Sequence, residues 1–257
     1  ARPGRRRMTE YAVVGGATGA LGAAIVRRLR AEGLTVVAVA RSTAHLDALA
    51  ADDPGVVPLA GDLDDDGVVD AITTVIDGPV RIVVQAAGLP GAGDVDRLSG
   101  DELTRGIDIK VGGFLRLIRA VRERLTEGSR IVVLGGHYGY EPSPAAPLTG
   151  IVNASLLNLV RSLADRWGPE GVTVHLVAPG PVDSPRMHGI AERIASRRGG
   201  EVTAEQVLDD YRAGSPLGRL TTIDEVAWAV GILLAPEAAA LHGSTLSLDA
   251  GRRRGMS

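Results

Sequence analysis

The sequence predicts an α/β fold in which a doubly wound parallel sheet of about seven strands carries helices on both faces. Short apolar runs alternate along the chain with longer segments whose apolar residues recur at helical spacing. The runs are continuously apolar, which indicates strands that are buried on both faces rather than strands with one face in water. No internal repeat or linker interrupts the pattern, and 257 residues suit a single domain.

Composition narrows the function classes. Hydrophobic residues make up 45% of the chain and charged residues 23%, as in an ordinary globular protein. No apolar run reaches the roughly 18 residues that a transmembrane helix needs, so we expect no membrane partner. A net charge of −3 weighs against a nucleic-acid partner. With no cysteine and no visible signal peptide, we expect a cytoplasmic protein, and no pattern suggests a metal site.

The domain is expected to span residues 8–251, because Met8 lies shortly before the first strand and resembles a natural start. Residues 1–7 are interpreted as an unstructured or artificial extension. Residues 252–257 are interpreted as a basic tail, for which a solvated state is favoured over a docking role.

The first strand, turn and helix predict a phosphate-binding site. Tyr11 to Val14 is a short apolar run, and Ala20 to Leu29 has apolar residues at helical spacing. Glycines between them let backbone N–H groups approach a pyrophosphate, and the helix N-terminus adds partial positive charge. The alternative is a plain tight turn between a strand and a helix. The predicted binding residues of this turn are Gly16, Thr18, Gly19, Leu21 and Gly22.

The second strand, Leu34 to Ala40, predicts which dinucleotide is bound. An acidic residue at its end would bond the ribose 2′-hydroxyl and select NAD. Arg41 stands there instead, and a guanidinium at this place favours the 2′-phosphate of NADP. We therefore expect NADP(H) rather than NAD(H). A solvated Arg41, or no cofactor at all, remains the alternative.

The remaining elements follow in order. Helices are predicted over residues 43–51, 64–75, 98–125, 150–167 and 224–234, and strands over residues 56–59, 81–84, 131–134, 172–177 and 244–248. Residues 184–214 are expected to be irregular, with two weak helices. Apolar stripes on the two long helices could belong to the core alone, and by themselves they do not show a subunit interface.

Several motifs together resemble the short-chain dehydrogenase/reductase family over essentially the whole chain. The family's glycine turn is similar to GGATGALG (residues 15–22), and its NNAG motif to QAAG (residues 85–88). VAPGPVDSP (residues 177–185), PLGRLTTIDEVAWAV (residues 216–230) and the closing LSLDAG also match its pattern. The resemblance implies a Rossmann-type fold, a small-molecule substrate, a lid over residues 184–215 and a homodimer or homotetramer. It also implies that the cofactor is bound by Asp62, Leu63, Ala87, Gly88, Asn153, Pro179, Gly180, Val182 and Ser184, the last holding the nicotinamide carboxamide.

The catalytic positions of the resembling family differ in this chain. Its members use an Asn–Ser–Tyr–Lys set to exchange a proton with the substrate oxygen. Matching neighbouring segments places Lys110 at the asparagine, Gly136 at the serine, Thr149 at the tyrosine and Asn153 at the lysine. No Tyr-x-x-x-Lys occurs anywhere in the chain, so a small shift of the alignment cannot restore the pair.

Three residues are candidate replacements. Lys110 is the only lysine of the chain, and a buried lysine with a lowered pKa can act as acid, base or nucleophile. His137 and Tyr138 follow the vacant serine position, where a histidine could donate a proton. The alternatives are a lysine whose stem packs while its head reaches water, and an ordinary loop histidine. His175, inside a strand, is expected to be structural.

The lid sequence is rich in arginine. Such residues could attract a carboxylate, a phosphate or a carrier-bound substrate, which would make the substrate anionic. The alternative is the solvated face of a lid helix. The residues concerned are Arg186, Arg193, Arg197 and Arg198.

Three functions remain open. The first is an NADP(H)-dependent oxidoreductase with a non-standard proton source, or with a substrate that needs none. The second is a lyase, isomerase or cyclase that reuses the same pocket without redox chemistry. The third is an inactive relative that acts through a partner protein.

Overall fold

A computed structural model describes residues 9–89, 93–199 and 201–255. The expected extension over residues 1–7 and the last two residues of the predicted tail lie outside the described residues. The strands are β1 (Tyr11–Gly15), β2 (Thr35–Ala40), β3 (Val56–Ala60), β4 (Val80–Gln85), β5 (Leu125–Leu134), β6 (Thr173–Pro179), β7 (Val182–Asp183), β8 (Thr221–Thr222) and β9 (Thr245–Leu248).

Seven of these strands form one sheet in the order β3-β2-β1-β4-β5-β6-β9, and every pairing in it is parallel. The chain runs outward from β1 to β3, then crosses back to β4 and continues toward the other edge. The strand order therefore reverses between β1 and β4, where a crevice opens at the carboxyl ends of the strands. The predicted fold class, including the number of strands, is confirmed.

Helices cover both faces of the sheet. They are α1 (Ala20–Ala31), α2 (Thr43–Asp52), α3 (Gly67–Val75), α4 (Gly100–Ile107), α5 (Gly113–Val121), α6 (Pro147–Trp167), α7 (Pro185–Arg197), α8 (Ala204–Ala213) and α9 (Ile223–Ile232). Alternate strand residues enter two separate cores, as the pleat requires. Val13 and Val37 pack on the side of α5 and α6, whereas Val14 and Val36 pack on the side of α1 and α9. Within the described ranges, no helix combines the length and apolarity needed to cross a bilayer.

The apolar stripes of the two long helices belong to these cores. Phe114, Leu117 and Val121 of α5 are fully buried, as is Leu156 of α6. Of the two interpretations left open by the sequence, packing within the chain accounts for the stripes. An interface requires other, exposed residues.

Two predicted boundaries were wrong. The long helical pattern over residues 98–125 is divided into α4, a π-helical turn (Asp108–Gly112) and α5, and Leu125 starts β5 instead of ending the helix. The helix predicted to start near residue 150 begins at Pro147, whose fixed φ suits the first turn.

The lid contains more regular structure than expected. α7 has 13 residues and α8 has 10, and they pack on each other around Met187, Ala191 and Leu208. Ser184 and Thr203 cap their N-termini. This small separate core explains why segments that the sequence suggested were weak form complete helices.

Candidate active site

A large cleft opens at the carboxyl ends of β1, β4, β5 and β6, beneath α7. Its volume is about 360 Å³. Lys110, His137 and Tyr138 line it, and so do the predicted cofactor residues Leu21, Gly88, Asn153, Pro179, Gly180, Val182 and Ser184. The structure thus brings all three candidate catalytic residues together with many of the residues predicted to bind a dinucleotide. Across the described ranges, no three His, Asp or Glu side chains gather as a metal site would require.

The glycine turn between β1 and α1 shows which glycines the fold needs and which leave space for a ligand. A Cβ on Gly16, which has φ +78°, would lie 2.5 Å from the Ala87 backbone nitrogen. A Cβ on Gly22 would lie 2.1 Å from the Gly16 carbonyl oxygen. At Gly19, by contrast, the nearest atom would be 3.6 Å away. Gly16 and Gly22 are therefore required by packing, whereas Gly19 borders open space at the helix N-terminus.

The N-terminus of α1 has the features of an anion-binding site. No side chain caps the helix at Gly19, and its first turn holds no acidic residue. The N–H groups of a first helical turn have no intrahelical partner, and they carry the positive end of the helix dipole. An uncapped helix N-terminus beside open space is the arrangement that binds a pyrophosphate.

The predicted adenosine end lies beside this turn. The amides of Gly16 and Ala17 bond the Val39 carbonyl, which ties the turn to the end of β2, where Arg41 follows and is exposed. Leu63 is buried, and its carbonyl accepts a 2.9 Å hydrogen bond from the Arg116 guanidinium. Arg41, Asp62 and Leu63 lie outside the lining of the large cleft, at the ends of β2 and β3.

Lys110 is buried at the base of the cleft. It lies in the π-helical turn, a distortion that is frequent at functional sites. Its Nζ donates a 2.6 Å hydrogen bond to the Ala87 carbonyl, and only 5% of the residue is exposed. Burial, together with the positive charge of Arg186, lowers the pKa of Lys110 to about 7. The ammonium group therefore exchanges its proton readily near neutral pH.

Gln85 holds this arrangement in place, a role that the sequence did not reveal. It is fully buried at the end of β4. Its Nε2 donates to the Ile109 carbonyl at 3.0 Å, and its Oε1 accepts from the Ala87 amide at 2.9 Å. One side chain thus joins the π-helical turn that carries Lys110 to Ala87, whose carbonyl accepts the Lys110 hydrogen bond. The QAAG motif gave a position for Gln85 but no sign of the partner 24 residues away.

His137 and Tyr138 form a corner at the end of β5. Their ring centroids are 4.0 Å apart, and His137 is 8% exposed. Burial, then the positive charge of Arg252, lowers the pKa of His137. Burial, then the neighbouring hydroxyl of Tyr211, raises the pKa of Tyr138 to about 12. Both changes favour the neutral side chains at physiological pH.

Comparison with known proteins gives the family. Residues 16–253 match the family model described as Enoyl-(Acyl carrier protein) reductase. The chain belongs to the short-chain dehydrogenase/reductase family. Galactitol 2-dehydrogenase of Rhizobium johnstonii is 31% identical, with 94% of each chain covered. A putative ketoacyl reductase of the monensin polyketide synthase of Streptomyces virginiae is 30% identical, over 95% of this chain and 97% of the relative.

Solved structures confirm the fold. The L-sorbose reductase of Gluconobacter frateurii, complexed with NADPH and L-sorbose, superposes with a TM-score of 0.87 at 22% identity. It covers 96% of this chain and 98% of its own. YwfH, an NADPH-dependent reductase involved in bacilysin biosynthesis, also gives 0.87, at 21% identity over 96% of this chain and 100% of its own.

The four positions matched to the catalytic set of short-chain dehydrogenases/reductases all line the one cleft: Lys110, Gly136, Thr149 and Asn153. Asn153 is buried, and a Cβ on Gly136 would lie 3.0 Å from its Nδ2. Thr149 is half-buried. The four positions that the sequence matches to the catalytic set thus share one cleft, and their correspondence to that set stays a prediction.

Ser184 has a local role beside its predicted one. Its Oγ donates to the Val182 carbonyl at 3.1 Å and accepts from the Met187 amide, so that it caps α7 in this short-chain dehydrogenase/reductase. The carboxamide-holding role remains a prediction.

The lid arginines divide into two groups. Arg186, Arg193 and Arg197 line the cleft from α7, whereas Arg198 follows the helix and lies outside the lining. The Arg186 guanidinium spans the cleft, since a Cβ on Gly88 would lie 2.9 Å from its Nη1. Asp94 is the one carboxylate among the lining residues.

The C-terminal arginines do not form the solvated tail expected from the sequence. Arg252 and Arg253 are half-buried, and their guanidinium groups lie over the rings of Tyr211 and Tyr140. Cation–π contacts and backbone hydrogen bonds offset the loss of hydration of the two guanidinium groups. The basic run in the sequence does not reveal these contacts. The expectation of a solvated tail was wrong for these two residues.

Proposed function

We propose that this chain is an NADP(H)-dependent oxidoreductase that acts on a small anionic molecule and takes its proton from a non-standard source. The observation that carries the proposal is Lys110, a buried lysine with a pKa of about 7 at the base of a cleft with a dinucleotide-type glycine turn. The cytoplasm is the proposed location, in keeping with a chain that has no cysteine.

The cofactor fits the residues that are present. The uncapped start of α1 and the open space beside Gly19 would hold the pyrophosphate, and Arg41 would reach the 2′-phosphate. When bound, the cofactor supplies a hydride. NADPH appears in the names of two similar structures, the L-sorbose reductase and YwfH, and that supports NADP(H) here.

Lys110 is the better of the proton sources. Reduction of a carbonyl places negative charge on oxygen, and an acid whose pKa lies near the working pH donates most effectively. Lys110 meets that condition, with its Nζ held by the Ala87 carbonyl. Tyr138, whose pKa is raised to about 12, is a weaker acid than an ordinary tyrosine. The neutral His137 has only its ring N–H to offer.

The anionic substrate is inferred from the charge of the cleft. Arg186 approaches Lys110 closely enough to lower its pKa, so two cations face each other across the floor of the cleft. Arg193 and Arg197 add to them from α7. A carboxylate or phosphate on the substrate would relieve this repulsion and receive charge-assisted hydrogen bonds.

The first experiment measures NADPH binding by nicotinamide fluorescence, then turnover of a panel of ketones, imines and enones by nicotinamide absorbance. With a working assay, Lys110→Met lowers kcat by about 10²–10⁴-fold, the contribution typical of a positioned acid. Because reduction requires the protonated lysine, kcat/KM falls as pH rises above about 7. Arg198→Gln, outside the cleft lining, is the matched control.

The same experiment separates the alternatives. Failure to bind NADPH removes the redox function and leaves a lyase, isomerase or cyclase, or an inactive relative. Full turnover in Lys110→Met assigns the proton to another group, and His137→Ala then tests the corner. The absence of a Tyr-x-x-x-Lys pair is the observation that keeps these alternatives open.

Arg186→Gln tests the anionic substrate. For a carboxylate-bearing substrate we expect KM to rise about tenfold or more, the worth of a charge-assisted hydrogen bond. For the matching methyl ester the variant and the parent should give similar KM values. An equal effect on both compounds would refute an anionic recognition site.

A homodimer or homotetramer is proposed from exposed apolar residues on neighbouring helices. Ile107, Leu115 and Ile151, on α4, α5 and α6, are 37%, 37% and 45% exposed. Leu115→Glu should shift the mass measured by light scattering toward the monomer. Val95→Glu, at a 53% exposed site outside these helices, serves as control.

A further inference from the structure

The chain makes a tight turn after β9 that directs it toward the lid and the loop after β5. Ala250 and Gly251 have φ values of +54° and +81°. The Asp249 carboxylate stabilises the turn, because its two oxygens accept from the amides of Gly251 and Arg253, each at 3.0 Å. Asp249 is itself buried. The direction of the last described residues is thus fixed by a buried acidic side chain.

Arg252 extends from this turn to the lid. Its Nη1 donates a 3.0 Å hydrogen bond to the Tyr211 carbonyl in α8, and its guanidinium lies 5.6 Å from the centre of the Tyr211 ring. It also covers Gly214, where a Cβ would lie 2.4 Å from Nη1. Tyr211 lines the cleft. Arg252 therefore holds one wall of the cleft from outside.

The next two residues extend to the loop that carries the His137–Tyr138 corner. The Arg253 guanidinium lies 3.8 Å from the centre of the Tyr140 ring. The Arg254 amide donates a 2.5 Å hydrogen bond to Glu141. Three consecutive residues, Arg252 to Arg254, thus join the lid helix to the loop after β5.

We propose that Gly251–Arg254 is a positioning segment of the active site, in which Arg252 holds Tyr211 against the His137–Tyr138 corner and sets the charge at that corner. The inference does not rest on the proposed redox function, because the contacts belong to the chain alone. It adds Arg252 as a positioning residue and Tyr211 as a residue that shapes the cleft beside Tyr138.

The electrostatic consequence is specific to Arg252. The charged groups that face His137 are Arg252, Glu141 and Asp249, with the Pro179 carbonyl and the neutral Tyr138 ring beside it. Arg252 disfavours the protonated imidazole, and the two carboxylates and the carbonyl favour it. Among these charged groups, Arg252 is the one that opposes protonation of His137, and its removal leaves the two carboxylates.

The test is a titration of the histidine ring signals by NMR, with His137 assigned from their loss in His137→Gln. In Arg252→Gln the pKa of His137 rises, because the positive charge that opposes protonation of the imidazole is gone. Arg252→Lys keeps the charge and returns the pKa toward the parent value. Arg254→Gln keeps its backbone bond and leaves the pKa unchanged. An unchanged pKa in Arg252→Gln would overturn the proposal.

Hydrogen exchange tests the mechanical part of the proposal with no substrate or cofactor present. Arg252→Gln should speed exchange by about fivefold in residues 204–213 and in residues 137–141, since loss of one such contact costs about 1 kcal/mol. Arg254→Gln leaves both segments as in the parent. Faster exchange throughout the sheet would indicate general destabilisation and would overturn the assignment of a local positioning role.

Discussion

At the scale of single residues, Lys110 combines a chemical use with a stability cost. Its pKa is lowered by burial, so folding below the ordinary lysine pKa either buries a charge or releases a proton. Each unit by which the pKa falls costs about 1.4 kcal/mol while the unfolded chain is protonated. A cleft residue that lowers stability by a few kcal/mol fits the trade-off between stability and activity that active sites show.

We predict that Lys110→Met is more stable than the parent near pH 6. Between about pH 7 and the ordinary lysine pKa, the unfolded parent binds a proton that the folded parent has lost, so parent stability rises with pH. Methionine lacks this dependence. The advantage of the variant therefore shrinks across that window.

Urea unfolding at a series of pH values measures this difference. Arg124→Met is the control, because Arg124 is exposed. A constant difference between Lys110→Met and the parent from pH 6 to pH 10 would show that Lys110 is not neutral in the folded state at alkaline pH.

At the scale of elements, the glycine turn contains one glycine that the packing requires, Gly22, and one that borders open space, Gly19. Gly22→Ala places a methyl group 2.1 Å from the Gly16 carbonyl, which requires α1 to move relative to β1. Gly19→Ala finds its nearest atom at 3.6 Å, in a backbone with φ −71° that alanine accepts. We predict that Gly22→Ala lowers Tm by several degrees, as expected for overpacking worth about 1–3 kcal/mol.

Gly19→Ala, in contrast, should keep the parent Tm and weaken NADPH binding by about tenfold, because the methyl group occupies the space where the pyrophosphate would lie. Calorimetry gives Tm and fluorescence titration gives Kd for both variants. Parent-like NADPH affinity in Gly19→Ala would exclude this turn as the pyrophosphate site.

Elements that are specified locally could be predicted from the sequence. The strand around Val13 and the turn at Gly16 depend on neighbours in the chain, and both are where the pattern predicts. The π-helical turn at Lys110 could not be predicted, because its Ile109 carbonyl accepts a hydrogen bond from Gln85, which lies on β4, far from the turn in sequence. The contacts of Arg252 are with the carbonyl and the ring of Tyr211, 41 residues away in the chain. The catalytic and cofactor roles of the site residues stay predictions.

At the scale of the whole molecule, the sheet face that carries α1 and α9 buries basic groups as well as apolar ones. Arg130 on β5 is 3% exposed, and its guanidinium donates to the Leu233 and Ala235 carbonyls after α9. His175 on the adjacent strand is fully buried; its Nδ1 donates to the Leu241 carbonyl and its Nε2 accepts from the Thr173 hydroxyl. The structural role expected for His175 agrees with this placement, in which both ring nitrogens bond within the chain.

Burial, then the charge of Arg130, lowers the pKa of His175 to about 4. Between about pH 4 and the ordinary histidine pKa of about 6.5, His175 binds a proton in the unfolded chain but not in the folded chain. Stability therefore falls as pH decreases from about 6.5 to 4. His175→Gln, which can keep one of the bonds, should be less stable than the parent at pH 7 and should lose less stability on acidification.

Unfolding free energies of the parent and of His175→Gln, each measured at pH 7 and pH 5, give the stability that each protein loses on acidification. His188→Gln is the matched control, because His188 is exposed and pairs with Asp183, so its removal leaves the acid dependence of the buried site intact. An acid response in His175→Gln equal to that of the parent would assign the loss of stability to other groups. Lys110 acts in the same direction, because above about pH 7 the unfolded chain binds a proton that the folded chain has lost. The stability of the fold therefore rises with pH in two windows, from about pH 4 to 6.5 through His175 and above about pH 7 through Lys110.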